Sequence, residues 1–65
     1  MRDHTREEFP IFATAPGVVR SVEDGTVVIE HDDGLFVRLF HVQAVAVAVG
    51  DRVDHGQQIG TGRAW

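Results

Sequence analysis

The sequence contains no cysteine and no lysine, and it holds only two prolines in 65 residues. Without cysteine, neither disulfides nor thiolate zinc sites can staple the fold. Without lysine, any chemistry that needs a lysine amine is excluded. No apolar run approaches the roughly 18 residues of a membrane span. The opening MRDHTREE has no hydrophobic segment behind it, so no signal peptide is expected and the chain as it stands reads as cytoplasmic. Ten acidic residues oppose six arginines, for a net charge of −4. With no basic cluster, nucleic acid and anionic membrane are poor partners, because grouped Lys and Arg grip phosphates.

What is present must then do with little. A chain of this length forms one domain at most and buries only about 60% of the surface its unfolded form exposes. Such a core rarely supplies more than roughly 3–5 kcal/mol. Self-association is the expected supplement. Residues 1–8 are polar and charged without a core-building period, and read as an N-terminal arm. Residues 9–65 read as a single small β domain.

Phe9 to Ala15 (FPIFATA) reads as a first strand, with Pro10 confined to a strand start or edge because it has no amide proton. Pro16-Gly17 signals a turn. Val18–Val22 follows as a second strand, then a turn at Glu23-Asp24-Gly25. Thr26–His31 is rich in β-branched residues and reads as the third. Gln43 to Val49 alternates alanine with valine, a period of two rather than that of a helix. Gly50-Asp51 turns into a very short strand at Arg52–Val53. Asp54-His55-Gly56 turns again into a last strand, Gln57–Gly60, and Thr61–Trp65 is left as a tail. The fold class is all-β: a small antiparallel β-sandwich or barrel-like module of about five to six short strands.

The central hairpin can be registered by matching faces. Asp32-Asp33-Gly34 joins the third strand to Leu35–Val42. A two-residue loop would oppose Ile29 to Arg38 and mix apolar with charged. A three-residue loop with Gly34 in the left-handed conformation opposes His31 to Leu35 and Ile29 to Val37. One face then carries Val27, Ile29, Leu35, Val37 and Leu39. The other carries Val28, Glu30, Phe36, Arg38 and Phe40, with Glu30 and Arg38 close enough diagonally to pair. A chain this small has nothing left to cover that second face, and an uncovered apolar patch marks an interface. Phe36, Phe40 and Trp65 are the candidate interface residues. A symmetric homo-oligomer is expected, a dimer first.

The ordered series Ala13, Gly17-Val18-Val19, Ile29-Glu30-His31, Leu39-Phe40-His41-Val42 and Gly50 through Gly60 resembles the central part of the M23 (lysostaphin-type) zinc metallopeptidases, which cut peptidoglycan cross-bridges. The nine-residue step from His41 to Gly50 is similar to that family's. The resemblance covers about three quarters of the chain. It implies the M23, or duplicated hybrid motif, fold. It also places His41 at the family's catalytic histidine, as a remnant or vestigial catalytic residue.

The departures from that pattern bear on function. The family binds zinc through a histidine-x-x-x-aspartate pair ahead of the first strand and the second histidine of a histidine-x-histidine motif after the final glycine. Here there is no His-x-His, the only candidate for the first pair is His4 with Glu8, and the family's tyrosine is replaced by Leu39. A catalytic zinc needs about three protein ligands and an open position. The chain therefore reads as a truncated member with a degenerate zinc site. His31 and His41 sit at opposite ends of the hairpin, and His55 sits in a glycine-bounded turn.

Two functions compete. The first is a non-catalytic, M23-like β module that self-associates, a structural, interaction or designed scaffold with no cofactor and no metal. Loss of the strand carrying the final ligand would leave an open sheet edge for a copy to occupy. The alternative is a minimal zinc-dependent peptidoglycan hydrolase whose metal site is completed between subunits, with His41 polarising the transition state. Biotinyl and lipoyl carriers share the closing turn but modify a lysine, which is absent. A histidine phosphocarrier similar to the glucose-type IIA domain would need a longer insertion after its histidine.

Overall fold

In the computed structural model, residues 8–63 are described, and they form seven strands and no helix. In chain order these are β1 (Glu8–Phe12), β2 (Gly17–Glu23), β3 (Thr26–His31), β4 (Phe36–Leu39), β5 (Val42–Val45), β6 (Arg52–Val53) and β7 (Gln58–Arg63). They build two antiparallel sheets, one ordered β1-β7-β5 and the other β4-β3-β2-β6. The all-β expectation holds, with more strands than expected and with two open sheets in place of a closed barrel.

The β3–β4 hairpin has the register that face matching requires. Ile29 opposes Val37 and Val27 opposes Leu39. His31 N–H donates to Leu35 C=O at 2.7 Å, and Gly34 sits at a φ of 92°. The β2–β3 connection is a two-residue turn with both central residues at positive φ, Asp24 at 50° and Gly25 at 78°. Asp-Gly suits that geometry, whose twist matches the flanking strands.

Val19, Val27, Ile29 and Val53 from the four-stranded sheet meet Ala13, Val42 and Ile59 in one core. Ile29, Ile59, Val19, Val27 and Val53 are essentially inaccessible to water. Each such side chain contributes about 1.5–3 kcal/mol by its removal from water.

Four expectations are corrected. The first strand ends at Phe12 rather than Ala15, because Ala13 turns inward and exchanges hydrogen bonds with Gln57 C=O and Gly56 N–H, both at 2.8 Å. Leu35–Val42 is not one strand: it breaks after Leu39, and its halves serve different sheets. The run Gln43–Val49 is strand only to Val45, because Gly50 and Asp51 hydrogen-bond Val19 and draw the chain back to β2. Thr61–Arg63 is no tail. It extends β7, the central strand of its sheet, between β1 and β5.

Glycine makes that central position possible. A Cβ on Gly60 would collide with the Ala44 carbonyl of β5, and one on Gly62 would enter the Phe9 ring. Phe9 stands opposite Gly62 and lies across it, the pairing that offsets a strand glycine's missing side chain.

Candidate functional site

His41 lies in the two-residue link between β4 and β5, where the chain crosses from one sheet to the other. Its φ of 61° is uncommon outside glycine and costs about 1–2 kcal/mol. The chain is fixed on either side of this link. Leu39 is paired with Val27, and Val42 is buried, is paired with Gly62, and donates its N–H to Gly25 C=O at 2.9 Å. The His41 side chain is exposed, whereas Leu39 is half-buried against the core and has no hydroxyl to offer.

The other histidines stand elsewhere. His31 closes β3, half-buried opposite Gly17. His55 is exposed in a turn held by Gln57 N–H to Asp54 C=O and by Asp54 N–H to Gln57 Oε1, both at 3.0 Å. His4, and with it the His4–Glu8 pair, lies outside the described residues, as does Trp65.

Two ion pairs were not legible beforehand. Arg52 grips Asp32 with both guanidinium nitrogens, Nη1 to Oδ1 at 3.2 Å and Nη2 to Oδ2 at 2.5 Å. The hydrogen bond, with the guanidinium charge behind it, holds the Asp32 carboxyl below its ordinary value and raises Arg52 in turn. Arg20 Nε bonds Glu30 Oε1 at 2.9 Å. Glu30 was expected to pair with Arg38. A bulge between Val19 and Ser21 leaves Arg20 as the extra residue of β2, and Arg20 supplies Glu30's partner.

The model of peptidase family M23 matches residues 3–64. The chain belongs to peptidase family M23. No curated protein and no solved structure matches it.

Zinc is the metal to test against an M23 domain. Among the described residues, no three of the His, Asp and Glu side chains come together as an ion's ligands. The described residues of this M23 domain do not by themselves fit a catalytic zinc, which needs about three. Among the described residues, His41 stands without companions of the necessary kind.

The surface carries a different feature. Leu35, Phe36 and Phe40 run along β4 and its ends, 63%, 61% and 62% exposed. β4 is an edge strand, with β3 on one side and no strand on the other among the described residues. The same M23 domain also leaves Phe9 and Phe12 about half exposed on β1, which the sequence pattern had assigned no surface role.

Proposed function

We propose that this M23 domain is a non-catalytic β module that assembles with copies of itself. The observation that carries the reading is the apolar edge: three large hydrophobic side chains along a strand whose outer backbone groups have no strand to bond among the described residues. Large apolar surface beside an unpaired edge is a template for association. The scatter of the three described histidines, and Leu39 at the family's tyrosine position, support the non-catalytic part of the reading. Light scattering across a concentration series is the test, together with metal content by mass spectrometry. The reading expects a mass that is a multiple of 7.2 kDa and less than one zinc per ten chains. A stable monomer at all concentrations sinks the assembly, and stoichiometric zinc sinks the inert module.

A second reading rests on His41, exposed and held in a costly backbone conformation of the sort that collects at working sites. In that reading the domain hydrolyses peptidoglycan, with zinc ligands contributed by more than one subunit. One zinc per site, together with peptidoglycan hydrolysis that is lost while the zinc stays when His41 is replaced by alanine, would establish it over the first.

A further inference from the structure

The geometry points to β4 pairing antiparallel with β4 of a second copy about a two-fold axis, in the register that sets Val37 against the partner's Val37. This rests on the self-association reading above and specifies where and how the copies meet.

Four strands lie at sheet edges among the described residues, and three are poorly suited to pairing. β1 carries Pro10, which has no N–H to offer. β5 is irregular, with a shift between Val42 and Ala44. β6 is two residues long. β4 is regular, lacks proline, and is apolar apart from Arg38.

The backbone of β4 limits the register. His31 N–H bonds Leu35 C=O, and Ile29 opposes Val37 in the ladder that follows. Residues that direct their N–H and C=O at a neighbouring strand alternate along an antiparallel ladder. Leu35, Val37 and Leu39 therefore direct theirs at β3, while Phe36 and Arg38 direct theirs outward. A partner strand must bond to Phe36 and Arg38.

Facing residues must also share a face, so the two-fold axis passes through a residue position and not between two. Centred on Arg38, the pairing sets two like charges directly opposite, which is unfavourable. Centred on Phe36, it runs the outward-bonding Arg38 into the partner's turn glycine, Gly34. Centred on Val37, it forms two hydrogen-bonded pairs, Phe36 with the partner's Arg38 and the reverse. Each guanidinium then lies beside an aromatic ring, a favourable contact. Leu35, otherwise exposed, is covered by the partner's Leu39. The two four-stranded sheets join into one.

The absence of cysteine makes a direct test possible. Three single variants, Val37→Cys, Phe36→Cys and Arg38→Cys, are oxidised and run without reductant. In a non-hydrogen-bonded pair the two Cα atoms stand about 4.5 Å apart, within reach of a disulfide. In this register the Phe36 positions of the two copies are about 8 Å apart, as are the Arg38 positions, and both are out of reach. Cross-linking of Val37→Cys alone is the expected result. Preferential cross-linking of either other variant overturns the register. A doubled mass for the unaltered chain with no variant cross-linking overturns the β4 edge while leaving self-association intact. A monomeric unaltered chain overturns both. Arg38→Pro supplies an independent arm, because it removes only an outward N–H: it should stay folded by circular dichroism and halve the mass. A folded Arg38→Pro that keeps the doubled mass counts against β4 pairing.

Discussion

Asp32 and Arg52, twenty positions apart in sequence, meet through two guanidinium–carboxylate hydrogen bonds that tie the β3–β4 loop to β6. This parallel arrangement gives geometric specificity as well as attraction. Both groups are exposed, so the pair's effect on stability is small and sensitive to salt. Its sign is fixed. The Asp32 carboxyl is held below its ordinary 3.8. The stabilisation is therefore fully present above that value and is lost as pH falls through the lower folded value. Asp32→Asn should show a shallower loss of stability on acidification, read as the urea midpoint against pH. An unchanged acid limb would mean that the pair contributes nothing.

Gly60 and Gly34 should respond very differently to alanine. At Gly60 a Cβ meets the Ala44 backbone carbonyl, and two strands must part to admit it. A loss of about 1–3 kcal/mol is expected, a large share of what so small a core supplies. Nothing lies near a Cβ at Gly34, and only its positive φ resists substitution. The expected loss there is about 1–2 kcal/mol. Denaturant midpoints for the pair, with Gly60→Ala the lower, check the close approach of β5 to β7.

Core and edge should separate cleanly. Ile59→Ala removes a fully buried side chain and should cost about 2–5 kcal/mol, enough to unfold most of the chain at 25 °C. Phe36→Ser with Phe40→Ser removes exposed groups. It should leave the circular dichroism spectrum intact while dissociating the assembly on a sizing column. Unfolding of the double serine variant would mean that the two rings belong to the monomer's own packing.

His41 offers a test of backbone strain. Valine at a positive φ is a genuine outlier, so His41→Val should lower stability by about 1–2 kcal/mol. His41→Gly should hold the midpoint level or raise it slightly, since glycine adopts this conformation freely. Equal behaviour of the two would show that the link between β4 and β5 relaxes out of the left-handed region.

The local patterns survived folding, and the long-range ones were harder to read. Thr26–His31, the turn at Gly34 and the opposition of Ile29 to Val37 follow from alternation and turn chemistry within a dozen residues. The break at Phe40-His41 was not legible, because period two continues across it and the change of sheet shows in a long-range pairing, Val42 with Gly62 of β7. Glu30 was given the wrong partner because a bulge adds a residue to β2, and bulges leave little mark on composition. Thr61–Arg63 looked like a tail because glycine has low strand propensity. Its place at the centre of a sheet depends on exactly that lack of side chain. Of the candidate site, the exposure of Phe36 and Phe40 was anticipated from the faces of the hairpin. The Asp32–Arg52 clamp needed β6 to be placed beside β2 first.

Glu8 stands directly across from Arg63 in the β1–β7 ladder. The described chain thus comes in and goes out at neighbouring points, about 5 Å apart at Cα. A fold closed in this way can be hung on a surface loop of a larger protein without prising that loop open. Its own ends can also be joined by a short bridge and new ones cut at the Asp33-Gly34 turn, leaving every strand pairing in place.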